Sequence, residues 1–118
     1  MKPFHDPQLL KGVLSLLLLW LLAERESYGY DLVQRVRALG LTDVAEGTIY
    51  PALTRLEREG RLAGHLMPSS SGPARKYYRP TPAGLASLAD SAASWREFTS
   101  IVDPVLAAVT PSTAEKEN

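Results

Sequence analysis

Cysteine is absent from this 118-residue chain, and histidine occurs only at His5 and His65. The lack of cysteine excludes disulfide bonds, thiol nucleophiles and cysteine-ligated zinc sites. The two histidines lie far apart in the sequence, so neither a two-histidine metal site nor a histidine-based triad is expected. No other group of residues has the pattern of a catalytic site. The sequence therefore predicts a protein that is not an enzyme, holds no metal and uses no cofactor.

An overall excess of charge is also lacking, because 13 basic residues balance 13 acidic ones. The global basic signature of many nucleic-acid-binding proteins is thus missing, but the charge is unevenly distributed. Residues 50–80 contain six basic and two acidic residues, whereas residues 81–118 contain two basic and five acidic residues. A neutral protein with one basic segment can bind phosphate there while its other part stays away from DNA.

One long apolar run, Leu9–Leu22, is shorter than the roughly 20 apolar residues that a membrane-spanning helix needs. It also lacks the small-residue cleavage site of a signal peptide, and the charged segment Glu24–Glu26 follows directly. We therefore expect a helix of a soluble, cytoplasmic protein with no membrane partner. Residues 1–7 before it are expected to form a loose polar lead.

The same helix is apolar on nearly every side, since only Lys11 and Ser15 interrupt it. Such a helix has to be buried on more than one face, and a chain of this length cannot surround it alone. We expect one face to pack on its own domain and another to pack on a second subunit. The residues of this helix predicted to lie at the dimer interface are Leu14, Leu17 and Leu18.

The stretch Glu46–Gly60 has the pattern of an amphipathic helix. Its apolar residues recur at steps of three and four, which places on one side Ile49, Ala52, Leu53 and Leu56. The opposite side carries Tyr50, Pro51, Thr54, Arg55 and Arg58. This surface suits the DNA major groove, where arginine pairs with guanine and apolar groups contact thymine methyls. The alternative is an ordinary helix with a solvated polar face, on which Tyr50 stacks against the domain's own hairpin.

The residues at which this helix begins and ends are predicted from the backbone preferences of glycine and proline. Gly60 is expected to end it, because glycine readily adopts the left-handed conformation. Pro51 lacks an N–H and belongs in a first turn, so we expect the helix to start near Ala45 with a slight distortion at Gly47. Asp43 and Glu46 are spaced for a capping box.

A shorter helix is predicted ahead of it, from about Asp31 to Leu39, with Gly40 as its end. It would bury Leu32, Val33, Val36 and Leu39, and would expose Gln34, Arg35 and Arg37. Two helices joined by a short turn, the second with a basic outer face, form the helix-turn-helix pattern.

Two strands, Arg61–Met67 and Arg75–Arg79, are predicted after Gly60, with Pro68–Ala74 as the loop between them. In DNA-binding proteins, a hairpin that directly follows the DNA-reading (recognition) helix of a helix-turn-helix is called a wing. Its returning strand interleaves basic and aromatic residues, among them Arg75, Lys76 and Tyr77, which suit the phosphate backbone or the minor groove. The alternative is a solvated hairpin with scattered charges, and His65 is expected to face solvent.

The last helix is predicted to begin at Thr81 as N-cap, with Pro82 in its first position. Its apolar residues form a seam that we expect to pair with the first helix of a partner chain. The interface residues predicted on it are Trp95, Phe98 and Val102. Asp103–Pro104 should kink or end the helix, and residues 111–118 are expected to be a disordered tail.

These elements predict a mainly α fold with a two-stranded β wing. Residues 1–80 would form a winged helix-turn-helix domain that binds DNA, and residues 81–118 a C-terminal dimerisation helix with its tail.

Three blocks of sequence together resemble the PadR family of bacterial transcriptional regulators. They are Tyr28–Leu32, the "EGTIYPALTRLE" block from Glu46 to Glu57, and Arg75–Gly84. The family's features imply a winged helix-turn-helix, a C-terminal dimerising helix, and repression of genes for detoxification, efflux or stress response. The short C-terminal part resembles that of the family's smaller branch, so no elaborate effector domain is expected. One departure is Pro80, which stands where family members often have leucine.

The resemblance also implies roles for individual residues. Thr48, Tyr50, Pro51 and Arg55 would lie on the DNA-reading helix, with Arg75 and Lys76 on the wing. Trp95 would correspond to a tryptophan that flanks a ligand cavity at the dimer interface in drug-binding members. A tryptophan in such a position is more often part of the interface core, and the two roles can coexist.

Our first hypothesis is a homodimeric repressor that reads a pseudo-palindromic operator in double-stranded DNA. A small hydrophobic or aromatic ligand at the dimer interface would alter the spacing of its two recognition helices. A second hypothesis is a protein-interaction module that uses the winged scaffold to dock on another regulator. A third is a small-molecule carrier that uses the interface cavity alone.

Overall fold

The computed structural model describes residues 6–111 of the chain. Within that range the elements are α1 (Pro7–Glu24), β1 (Ser27–Tyr28), α2 (Gly29–Ala38), α3 (Glu46–Arg58), β2 (Leu62–Ser69), β3 (Gly72–Pro80) and α4 (Pro82–Ala108). The predicted mainly helical fold with a wing is confirmed. The expectations of a loose lead at residues 1–5 and of a disordered tail at residues 112–118 lie outside the described residues.

Leucine, valine and isoleucine side chains of the first three helices form one core. The buried residues are Leu14, Leu18, Leu19, Leu21 and Leu22 of α1, Leu32, Val33 and Val36 of α2, and Ile49, Ala52, Leu53 and Leu56 of α3, with Val44 and Leu62 beside them. The predicted inner stripe of α3 is confirmed. Fully burying one such large apolar side chain stabilises the fold by about 1.5–3 kcal/mol, so this cluster holds the three helices together.

Two residues predicted for the dimer interface belong to this core instead. Leu18 has no exposed surface and Leu14 has 5% of its surface exposed. Their side of α1 faces α2 and α3 of the same chain, so they have almost no area left for a partner subunit. The prediction for Leu14 and Leu18 is therefore wrong.

α1 begins two residues earlier than the apolar run, at Pro7. The Asp6 carboxylate caps it by accepting hydrogen bonds from the N–H groups of Gln8 (3.1 Å) and Leu9 (3.2 Å). At 18 residues the helix is long and apolar enough to cross a membrane by length and composition alone, but its leucines supply the core of the winged domain. Trp20 lies outside that core, on the side of α1 that faces α4, and is 43% exposed.

α2 buries three of the four residues predicted for its inner face, but Leu39 is exposed because the helix ends at Ala38. Gly40 follows with φ 121°, as expected for a helix-ending glycine. Arg35 and Arg37, predicted to be exposed, are half-buried. Arg37 donates a 2.9 Å hydrogen bond to the Val44 carbonyl oxygen, which ties α2 to the turn before α3.

α3 starts after Ala45, as predicted, with Pro51 inside the helix. The predicted capping box is wrong: Ala45 is the N-cap and no side chain caps the helix. Gly60 ends it with φ 78°. The Arg61 N–H then donates to the Leu56 carbonyl oxygen at 2.9 Å, the bond that typically accompanies a left-handed glycine at a helix end.

The wing belongs to a three-stranded antiparallel sheet in the order β1-β3-β2, whereas two strands were predicted. β1 pairs with β3, with Ser27 opposite Tyr78 and Tyr28 opposite Tyr77. Since β1 has two residues between two helices, it offers too few positions for an alternating pattern. The hairpin strands are longer than predicted, and the turn between them is shortened to residues 70–71.

α4 begins as predicted, with the Thr81 hydroxyl accepting a 3.0 Å hydrogen bond from the Gly84 N–H. It does not end at Asp103–Pro104 but continues through Pro104 to Ala108. The apolar seam of α4, expected to pair with the first helix of a partner chain, also has a partner within its own chain. Its first half packs beside α1 of the same chain, and only its later part extends beyond that helix.

Candidate nucleic-acid interface

The outer side of α3 presents four of the predicted DNA-reading residues to solvent: Thr48, Pro51, Thr54 and Arg58. The Thr54 hydroxyl donates a 3.1 Å hydrogen bond to the Tyr50 carbonyl oxygen, so its lone pairs remain available to a donor on a base. Arg58 makes no hydrogen bond or ion pair with any residue in the 6–111 range. Its guanidinium is therefore free to bind an acceptor on DNA.

Arg55 lies on the flank of α3 that faces α1, not at the centre of the outer side. It donates a 2.9 Å hydrogen bond to the Ser15 hydroxyl, and the Glu59 carboxylate is 3.7 Å away. A guanidinium has five N–H donors, so these two contacts leave donors for DNA. They also fix the side chain against α1 and offset part of its charge.

Tyr50 lies on the opposite flank of α3. Its ring packs against Gly29 so closely that a Cβ at Gly29 would overlap it. The ring therefore rests on the start of α2, while 41% of the residue stays exposed. Partial burial, and to a lesser extent the nearby Glu46 carboxylate, raise the pKa of the Tyr50 hydroxyl.

The two faces of the hairpin differ in chemistry. Arg75 and Tyr77 share the face that points away from α3. The Arg75 guanidinium carbon lies 4.5 Å from the centre of the Tyr28 ring, and the Tyr77 ring meets Tyr28 edge to face at 5.3 Å. His65 is half-buried on the same face, 3.3 Å from the Glu26 carboxylate. Arg75 thus stays exposed to solvent while its guanidinium packs on the Tyr28 ring.

Lys76 points to the other face of the hairpin, towards α3. Its ammonium group donates a 2.7 Å hydrogen bond to the Glu57 carboxylate. This bond to Glu57 raises the pKa of Lys76. The pair connects the wing to α3, and the charge that Lys76 was predicted to offer to DNA is largely balanced within the protein.

A polar cluster that the sequence did not reveal lies where α1 meets α2. Arg35 donates hydrogen bonds of 2.8 Å to the Leu21 carbonyl oxygen and to the Ser27 hydroxyl. Arg25 donates a 2.9 Å hydrogen bond to the Asp31 carboxylate. Burial raises the pKa of Asp31, but the hydrogen bonds from Ser27 and Arg25 outweigh that effect and lower it. The cluster thus supplies a hydrogen-bond donor to a carbonyl oxygen at the end of α1. It also fixes the start of α2, on which the Tyr50 ring rests.

The remaining predicted interface residues lie along α1 and α4. Leu17 lines an apolar groove with Trp20 of α1 and Leu85 and Leu88 of α4. Trp95 and Phe98 meet edge to face at 5.7 Å. These two rings line a second groove beside Leu9 and Gly12, and Val102 follows one turn later, half-buried. In the part of the chain that the structure describes, no three acidic or histidine side chains cluster as a metal site requires.

Several large apolar side chains on α1 and α4 are exposed in the single chain. These residues are Leu9, Trp20, Leu85, Phe98, Ile101, Val105 and Leu106, with Val109 just after α4. Exposed apolar patches of this extent mark sites of association in soluble proteins.

The PadR-like family of transcriptional regulators matches residues 18–90, which is more than half of the chain. This chain belongs to that family. An uncharacterised protein of Lysinibacillus sphaericus is 32% identical over 97 residues, covering 80% of this chain and 89% of that protein. The transcriptional regulator Rv3488 of Mycobacterium tuberculosis is 38% identical over 76 residues, covering 64% and 69%.

Solved structures of PadR-like regulators share the fold. A PadR-like transcriptional regulator of Bacillus cereus superimposes with a TM-score of 0.76 at 41% identity, covering 84% of this chain and 96% of that chain. A PadR family regulator of Eggerthella lenta superimposes with a TM-score of 0.77 at 35% identity, covering 86% and 88%. The predicted resemblance is confirmed. The protein is a winged-helix transcriptional regulator of the PadR-like family, and the family acts by binding DNA.

In this PadR-like chain the structure brings Thr48, Pro51, Thr54 and Arg58 together on one surface. It sets Tyr50 and Arg55 on the flanks of that surface and separates Arg75 from Lys76 by the alternation of the strand. Because successive side chains of a strand point to opposite faces, the sequence of β3 would have predicted that separation.

Proposed function

We propose that this PadR-like protein is a homodimeric repressor, acting in the cytoplasm without catalytic activity, that reads a pseudo-palindromic operator with its two α3 helices and wings. The observation that supports this most is the exposed outer side of α3, where Pro51, Thr54 and the unpaired Arg58 lie side by side. In a helix-turn-helix dimer, two such helices read half-sites about one helical turn apart, roughly 34 Å.

The exposed apolar residues of α1 and α4 support the dimer. On the later part of α4, the other described residues leave most of the surface of Ile101, Val105 and Leu106 exposed. A second copy, packing its own α1 and α4 there, would remove this surface from water at about 25 cal/mol per Å². We therefore propose residues 1–80 as the reading unit and residues 81–118 as the dimerisation unit.

The groove lined by Trp95 and Phe98 supports the binding of a small apolar or aromatic effector. Its other walls are Leu9 and Gly12 of α1, so a ligand there would touch both helices of the proposed interface. An effector that prefers one arrangement of these helices would shift the spacing of the two α3 helices, and with it the affinity for the operator.

Fluorescence anisotropy with labelled duplexes from the region upstream of the protein's own gene tests this function. The Arg58→Gln variant should bind the preferred duplex more weakly than the wild type by about 5- to 100-fold for each of the two half-sites, as expected for losing an arginine contact to a base. The Arg96→Gln variant is the matched control, because it removes one charge from α4, away from the reading surface.

Salt-dependent binding that Arg58→Gln weakens and Arg96→Gln leaves intact would support the proposal. A folded wild-type protein that binds none of these duplexes at any salt concentration would contradict it. That result would leave docking on another protein as the remaining use of the winged scaffold.

A further inference from the structure

A groove between the first half of α1 and the outer side of α3 adds a residue to the reading surface. Lys11 lines it from α1, and Pro51, Thr54, Arg55 and Arg58 line it from α3. Three cationic side chains thus border a single open groove. This groove is continuous with the surface that carries the residues proposed to read bases.

The three cations are not equally available. Arg55 is committed to the Ser15 hydroxyl and lies near Glu59. Lys11 and Arg58 are exposed, and neither forms an ion pair with a residue that the structure describes. Lys11 is also the only charged residue of α1 before Glu24. Two uncompensated positive charges therefore face the groove.

The position of the groove matches that of a DNA backbone. The major groove is about 12 Å wide, and a helix with its side chains measures about 10–12 Å across. A helix inserted there has a phosphate backbone along each flank. On the wing side of α3, Glu57 and Lys76 neutralise each other. On the α1 side, the backbone would meet Lys11, which borders the same groove as Arg58.

We propose that Lys11 is a DNA-contacting residue that binds a backbone phosphate on the α1 side of α3, next to the base-reading Arg58. This inference rests on the proposed DNA-reading function of α3 and extends the interface onto α1. An ammonium group acts on phosphate as a compact point charge. Such a contact positions the protein on the duplex and carries no sequence information.

The test is the salt dependence of binding, measured by anisotropy in a potassium chloride series. The full-length wild type is compared with Lys11→Gln and with Lys11→Arg, which keeps the charge. Each lost phosphate contact lowers the slope of log K against log salt by about 0.9, so Lys11→Gln should lower it by roughly two in a dimer. Lys11→Arg should keep the wild-type slope. Circular dichroism confirms that each variant is folded.

Because the proposed contact is to phosphate, Lys11→Gln should weaken binding to the preferred duplex and to an unrelated duplex by the same factor. A wild-type slope for Lys11→Gln, with binding still weakened in Arg58→Gln, would overturn the inference and leave the proposed function intact. If the wild type shows no salt-dependent binding to any duplex, that result contradicts the proposed function, and the inference about Lys11 is contradicted with it.

Discussion

The hydroxyl of Thr81 donates a 2.6 Å hydrogen bond to the carbonyl oxygen of Gly60, which joins the start of α4 to the end of α3. The Thr81 N–H donates to the Arg61 carbonyl oxygen at 3.1 Å. Gly84 lies so close to the same Arg61 carbonyl that a Cβ there would overlap it. The helix proposed for dimerisation and the helix proposed for reading DNA therefore share a tight joint.

Thr81→Val removes two hydrogen bonds of this joint at once, since the Thr81 hydroxyl also caps α4. We expect the free energy of unfolding to fall by about 1–3 kcal/mol, measured by urea denaturation. Thr99→Val is the control, because the Thr99 hydroxyl donates only to the Arg96 carbonyl oxygen on an exposed part of α4. Equal losses in the two variants would show that the joint does not stabilise the fold.

Gly29→Ala places a methyl group where the Tyr50 ring lies. The ring is flexible and partly exposed, so we expect it to move, at a cost on the order of 1 kcal/mol in folding free energy. In a Tyr50→Ala background the same change should cost nothing or stabilise by up to about 1 kcal/mol, because alanine favours a helix over glycine. A double-mutant cycle measures the coupling, and a value of zero would mean that the ring does not rest on Gly29.

Asp31 should make stability depend on pH at the acid end. Its pKa is lowered in the folded protein, because the hydrogen bonds from Ser27 and Arg25 outweigh the effect of burial. The stabilisation is therefore present above the unfolded-state pKa of about 3.9 and disappears as pH falls through that value to the folded pKa. Urea midpoints should differ between the wild type and Asp31→Asn at pH 6, and the difference should be smaller at pH 3, below the unfolded-state pKa.

Asp90→Asn is the control for that measurement. Asp90 is exposed on α4 and forms no hydrogen bond or ion pair with a residue in the described range. Its variant should follow the wild-type midpoints at both pH values. The role assigned to Asp31 would be contradicted if the difference in urea midpoint between Asp31→Asn and the wild type stayed constant down to pH 3.

Val105→Glu should dissociate the proposed dimer without unfolding the winged domain. Val105 is 59% exposed in the single chain, so the change removes little from the core, but it would bury a charge in the dimer interface. Ala107→Glu, two residues on and thus on the opposite side of α4, is the matched control. Size-exclusion chromatography with light scattering should show the mass of one chain for Val105→Glu and of two chains for Ala107→Glu.

Much of the fold could be predicted because its signals are local. The inner stripe of α3, its start at Ala45, and the glycines that end α2 and α3 depend on spacing and backbone conformation within a few residues. The same holds for the Thr81 cap. The strand β1 has two residues, and only its pairing with Tyr77 and Tyr78 defines it.

The errors concern contacts between elements distant in sequence. Leu14 and Leu18 are indistinguishable from Leu17 in a leucine-rich run, and only the position of α2 and α3 decides which of them is buried. Arg35 and Lys76 carry charges that look exposed until the Leu21 carbonyl and the Glu57 carboxylate come close in the fold. The aromatic and basic pattern of β3 correctly indicated a wing, but not which cations remain free.

The central claim is that two chains, joined through α1 and α4, place two α3 helices on one duplex. Sedimentation equilibrium of the protein, alone and with its preferred duplex, tests this most directly. The account predicts the mass of two chains for the free protein and two chains per duplex in the complex. A folded single chain at micromolar concentration, or one chain bound per duplex at saturation, would contradict it.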